Sequence, residues 1–156
     1  MSILKFENRT PKTLSEMVEY LTDESKTTEA GIFGIGCNPK FVVDEFELVQ
    51  RIFFKETITH PYLQVIFSFD VGVSLPIQYL REICIKIGRT LITDKRQVFG
   101  AIHYLNTDKI HCHYLLNFVD ATGKLYEQKY SLWHYKNEIN KIIIAYSLNP
   151  IKIFEG

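Results

Sequence analysis

Apolar residues recur along this chain with two periods, and each switch between them marks a new element. After Pro11, Thr13-Leu14-Ser15-Glu16 has the form of a capping box, and Leu14, Met17, Val18 and Leu21 then line one face of a short helix with Tyr20 near its end. "AGIFGIGCN" reads as a short strand or extended segment, and Val42, Phe46, Val49 and Phe53 return to helical spacing within residues 40–56. A strand follows at "YLQVIFSFD". Ser74 and Pro76 then open a helix whose inner face is Leu80, Ile83, Ile87 and Leu91. Strands are predicted at "QVFGAIH" and "HCHYLLNFV", and a turn at "DATGK" leads to a further extended stretch, "LYEQKY". Ser131 begins a last helix with Leu132, Tyr135, Ile139, Ile142 and Tyr146 inside.

Helices mixed with hairpin-like strand pairs predict an α+β fold built on a central, largely antiparallel sheet. The period of two assigns the faces of that sheet. In "HCHYLLNF" it places His111, His113, Leu115 and Asn117 on one side and Cys112, Tyr114, Leu116 and Phe118 on the other. In the earlier strand Val65, Phe67 and Phe69 oppose Gln64, Ile66 and Ser68, and in "VFGAIH" Ile102 opposes Ala101 and His103. The apolar face is expected to pack under helices. If the strands are neighbours, the other face collects His103, His111, His113, Ser68 and Asn117.

A chain of 156 residues fits one domain, 1–156, and can bury roughly 70% of its unfolded surface. No apolar run approaches the roughly 20 residues of a membrane helix, and the N-terminus lacks the form of a signal peptide, so the expected location is cytoplasmic, with no membrane insertion. Cys37, Cys84 and Cys112 are odd in number and never form C-x-x-C, which argues against a disulfide framework and a thiolate metal site. The net charge is zero but polarised: residues 1–70 hold 7 Lys+Arg against 11 Asp+Glu, and residues 71–156 hold 11 against 7. The second half can therefore present a basic surface, although a solvated mixture of charges has the same composition.

Three of the five histidines fall within "HYLNTDKIHCHYLLN", spaced H-x7-H-x-H. Neutral imidazole is the commonest protein metal ligand, and three of them leave coordination positions open for a substrate, as in a catalytic rather than a structural site. The competing account is a polar sheet edge that happens to carry histidines. Cys112 points the opposite way and is no ligand. His60, before Pro61, and His134, on a helix face, are expected to be solvated.

The segment "FGAIHYLNTDKIHCHYLLNFVDATGKLY" resembles the three-histidine motif of relaxases, mobilisation nucleases of the HUH endonuclease superfamily. "YLTDESKT" resembles the segment that carries their catalytic tyrosine, "GIGCNP" the segment after it, "VIFSFDVGVS" their second strand motif, and "LWHYKNEINKIIIAYSLNPI" the closing helix of short mobilisation proteins. The pieces occur in the family's order over about residues 15–153. The resemblance implies a ferredoxin-like HUH sheet with helices packed on one face and the three-histidine site on the other. It implies that His103, His111 and His113 hold a divalent metal ion, Mn or Mg, and that Tyr20 is the nucleophile. The family activity is the nicking of one DNA strand at a transfer origin, which leaves a 5′-phosphotyrosyl link and a free 3′ hydroxyl. Lys26, Thr27, Ser68 and Asn117 are the expected contacts to single-stranded DNA. An accessory DNA-binding protein and a secretion coupling protein are the expected partners, since no helicase or primase segment is evident.

One position departs from the family pattern. Many members carry an acid two residues after the first histidine, which helps to orient a ligand; here that residue is Leu105, and the acid Asp108 comes later. Two other readings use the same residues: a rolling-circle replication initiator of the same superfamily, and a non-enzymatic α+β module whose histidine face binds a partner or a structural metal.

Overall fold

The computed structural model describes residues 3–7 and 12–152. Among the described residues, the strands and α-helices follow in the order β1 (Ile3–Glu7), α1 (Leu14–Leu21), β2 (Ile32–Ile35), α2 (Val42–Ile52), β3 (Tyr62–Ser68), α3 (Ile77–Thr90), β4 (Val98–His103), β5 (His111–Asn117) and α4 (Leu132–Ala145), with short 3-10 turns at Glu29–Gly31 and Pro39–Phe41. The five strands form one sheet in the order β1-β3-β5-β4-β2, and every pair is antiparallel. This is the α+β antiparallel architecture that the patterning predicts.

Local chemistry explains where the helices begin. Thr13 caps α1 through a reciprocal pair: its hydroxyl accepts from the Glu16 N–H at 3.1 Å, and the Glu16 carboxylate accepts from the Thr13 N–H at 3.0 Å. The Ser131 hydroxyl accepts from the His134 N–H at the start of α4. Helix α3 departs from expectation, because Pro76 itself occupies the cap position and no side chain bonds there; Ser74 lies outside the helix.

Two stretches differ in kind from the prediction. Ile3–Glu7 forms an edge strand on β3, with Leu4 opposite Phe67 and Glu7 opposite Gln64. The expected strand at "LYEQKY" is reduced to one isolated bridge, Val119 to Leu125, although the Tyr126 N–H still reaches the Phe118 carbonyl at 2.8 Å. Both sides of β5 are already paired, with β3 and β4, so residues 125–130 meet no free ladder.

Apolar side chains fill both sides of the sheet. On one, Val65, Phe67, Ile102, Cys112 and Tyr114 pack against Leu80, Ile83 and Ile87 of α3 and Tyr135, Ile139 and Ile143 of α4. Gly100 of β4 lies directly beneath the Phe33 ring, where a Cβ would come 2.1 Å from a ring carbon. Helices thus cover the face opposite the histidines, as expected. In addition, α1 and α2 close over most of the histidine face through Leu14, Met17, Leu21, Val42 and Phe46, which meet Tyr62, Phe99, Ala101 and Leu115. The end of that face carrying His103, His111 and His113 opens into a cavity.

Candidate metal centre and its surroundings

Antiparallel register brings the histidines together. His103 and His111 are direct cross-strand partners, and the period of two puts His113 on the same face beside them. Their rings lie 4.5 to 5.0 Å apart, centroid to centroid. One nitrogen from each forms a group whose members all lie within 4.8 Å of one another.

The outer nitrogens decide which ones these are. His103 Nε2 lies 2.8 Å from the Leu21 carbonyl oxygen, and His111 Nδ1 lies 3.0 Å from that of Lys109. A carbonyl oxygen only accepts, so both of those nitrogens carry the proton. His113 Nδ1 lies 2.9 Å from Gln64 Oε1 and donates to it in the same way. The lone pairs of His103 Nδ1, His111 Nε2 and His113 Nε2 are left on the inner side of the cluster, with His103 Nδ1 and His111 Nε2 3.2 Å apart. Two neutral imidazole acceptors at that distance repel and call for a cation between them. A divalent ion with metal–nitrogen bonds of about 2.1 Å and angles of 90–110° spans about 3.0–3.4 Å between ligand nitrogens, which the His103–His111 pair at 3.2 Å matches, and three neutral imidazoles are a donor set suited to such an ion.

Burial keeps two of the three imidazoles neutral. Burial pushes the His113 imidazole down to about 3, helped by His103, His111 and Lys26. Burial also lowers His103, with smaller effects from His111 and Lys26 in the same direction, against the opposing hydrogen bond to Leu21. Neutral imidazoles have lone pairs to offer a metal.

The bond from His103 to the Leu21 carbonyl ties the centre to the last turn of α1, next to Tyr20. The Tyr20 side chain is 49% exposed, in contrast to the buried Leu14, Met17 and Leu21 of the same helix. The Lys26 ammonium sits 3.7 Å from the centre of the Tyr20 ring. The loop carrying Lys26 is stapled to the β4–β5 connection: the Lys26 carbonyl accepts from the N–H groups of Tyr104 and Leu105, Asn106 donates to the Ser25 carbonyl, and Thr28 bonds the Tyr104 hydroxyl. Tyr20, Lys26, Leu105 and the three histidines line one open cavity of about 490 Å³.

Among the other expected contacts, Ser68 pairs with His111 across the sheet and is half-buried at the same end. Two others are corrected by their burial. Asn117 lies at the far end of β5, fully buried, where it binds Gln50, the Phe46 carbonyl, Gln97 and the Val119 N–H. It pins α2 to the sheet and has no polar atom to offer DNA. Thr27 is 3% exposed, packed against the 29–31 turn, so its hydroxyl does not face the cavity. His60 is exposed, whereas His134 is half-buried and stacked on the Tyr130 ring at 4.0 Å.

Sequence reading missed Gln64 and Glu7. Gln64 belongs to the polar alternation of β3, which was legible; its contact with His113 depends on strand register. Neither Leu105 nor the Asp108 carboxylate orients an imidazole, since the three outer nitrogens go to Leu21, Lys109 and Gln64.

Comparisons with known proteins agree with this geometry. A model of the MobA/VirD2-like relaxase nuclease domain matches residues 20–148. No curated protein matches the chain in sequence. A solved structure from work on the molecular basis of vancomycin resistance transfer in Staphylococcus aureus superposes with a TM-score of 0.53, covering 80% of this chain and 75% of that one at 13% identity, which shows a shared fold. The span of the family match, which includes Tyr20 and all three histidines, establishes that the chain belongs to the MobA/VirD2-like relaxases.

Proposed function

We propose that this relaxase nicks one strand of DNA at a transfer origin, with Tyr20 as the nucleophile and His103, His111 and His113 as the ligands of a divalent ion, Mn²⁺ or Mg²⁺. The observation that carries the reading is the cavity itself: a half-exposed tyrosine and three clustered histidines line the same space. When bound, the ion supplies positive charge to a phosphate oxygen of the strand.

The chain's own groups do the rest. Lys26 orients the Tyr20 ring and favours the charge that develops on its oxygen as it attacks. The Tyr20 Oη–P bond forms, the P–O3′ bond breaks, and the phenolic proton ends on the leaving 3′ oxygen by way of water. A 5′-phosphotyrosyl link and a 3′ hydroxyl result, and the reverse reaction reseals the strand. Ser68, at the histidine end of β3, and Lys26, in the cavity wall, are the side chains we assign to contact with the sugar–phosphate backbone. The family match favours transfer over replication initiation. We also propose an accessory DNA-binding protein and a secretion coupling protein as partners, and action in the cytoplasm; among the described residues no helix is long and apolar enough to cross a membrane.

The test is incubation of the chain with single-stranded oligonucleotides from candidate transfer origins, with and without Mn²⁺ or Mg²⁺. Metal-dependent cleavage with a denaturation-resistant adduct is expected, and Tyr20→Phe should abolish the adduct while its melting temperature stays near wild type. An adduct that survives in Tyr20→Phe would identify another nucleophile, and no cleavage of any substrate would favour the non-enzymatic module.

A further inference from the structure

Imidazole lone pairs gathered in one cluster, His103 Nδ1 and His111 Nε2 only 3.2 Å apart, repel without a cation, and the easiest relief is for one imidazole to move its proton inward and donate to another. His103 and His111 are prevented from doing so by the carbonyls of Leu21 and Lys109, which are fixed in the backbone and accept only. His113 has no such guard. Its outer partner is the side-chain amide of Gln64, which offers an acceptor or a donor according to which way it is turned.

Glu7 removes that choice. Gln64 Nε2 donates to Glu7 Oε2 at 2.9 Å, from the neighbouring edge strand and in direct register. A carboxylate only accepts. Turning the amide would set its oxygen against the carboxylate and lose that bond, so the amide nitrogen faces Glu7, the amide oxygen faces His113, and His113 must carry its proton on Nδ1. We infer that Glu7, acting through Gln64, is a positioning residue that locks His113 with its Nε2 lone pair turned inward and keeps the three imidazoles from closing on an internal hydrogen bond. The inference rests on the proposed metal role of the three histidines. It assigns to β1 the acid that Leu105 cannot supply, by a chain of two hydrogen bonds instead of one.

The test separates this lock from the metal reading. Imidazole ¹⁵N shifts of the metal-free protein report the tautomer directly, and calorimetric titration with Mn²⁺ reports the site. In the wild type His113 should show a protonated Nδ1 and an unprotonated Nε2. In Glu7→Gln, where the new amide satisfies Gln64 in either orientation, the two nitrogens should move toward averaged or reversed shifts, and Mn²⁺ affinity should fall about tenfold, the low end for loss of an outer partner. Gln64→Met should weaken Mn²⁺ at least as much, and adding Glu7→Gln to it should cost nothing further. Circular dichroism melts of each variant identify any loss that is merely unfolding. Unchanged His113 shifts in a folded Glu7→Gln, or losses that add in the double variant, would overturn the lock. Wild-type protein that shows the expected tautomer but binds no Mn²⁺ would leave the lock standing and remove the metal proposal.

Discussion

The neutral state of His113 makes the metal-free protein acid-sensitive in a window that can be set in advance. Unfolded, residue 113 has the ordinary imidazole value near 6.5; folded, burial and its imidazole neighbours hold it at about 3. Above pH 6.5 neither state holds the proton, and the full contribution to stability is present. As pH falls below 6.5 the unfolded chain takes up a proton that the folded chain refuses, and stability is lost progressively until about pH 3. Each pH unit inside that window lowers the unfolding free energy by about 1.4 kcal/mol, which amounts to about 2 kcal/mol by pH 5. His103, also lowered by burial, adds in the same direction. The assay is urea unfolding in EDTA at pH 7.5 and pH 5, comparing wild type with His113→Gln, which keeps a polar side chain and removes the titration. The wild type should lose about 2 kcal/mol more than the variant between the two pH values, with equal m-values. Parallel losses would refute the reasoning, because they would mean that folding does not exclude the proton from residue 113.

Other outcomes follow from the same geometry. Wild-type protein should bind one Mn²⁺ and gain about 2.7 kcal/mol of stability at a hundredfold excess over Kd; His111→Ala combined with His113→Ala should abolish this, and His134→Ala should not change it. Phe54→Gly should stabilise the fold by about 0.5–1 kcal/mol in urea unfolding, because Phe54 occupies a left-handed position (φ +55°) after α2, in a Schellman-type end, with its ring 89% exposed. Destabilisation would show that the ring makes a contact of its own. Binding to a single-stranded origin fragment should exceed binding to its duplex across a salt series, since a chain of zero net charge releases few counterions from a duplex. Tight duplex binding at physiological salt would remove the need for an accessory protein.

Much of the fold was legible because its signals are local. A capping box, a 3.6-residue period and a period of two are each written within a dozen residues, and they located α1 to α4 and four of the strands, β2 to β5. The same period of two placed His111 and His113 on one face and turned Cys112 away, so the histidine cluster was readable up to the pairing of β4 with β5, which adds His103. What the chain does not spell out is which elements meet. Ile3–Glu7 becomes a strand only because β3 offers an edge, and "LYEQKY" fails to become one because β5 has none left. Asn117 and Thr27 share faces or segments with the site, yet burial under α2 and beside the 29–31 turn takes them out of it. Glu7 and His113 are separated by more than a hundred residues and joined through Gln64, a link created by the register of three neighbouring strands. Periodicity decides which way a side chain points, but its partner is decided by long-range pairing, and pairing is a property of the whole sheet.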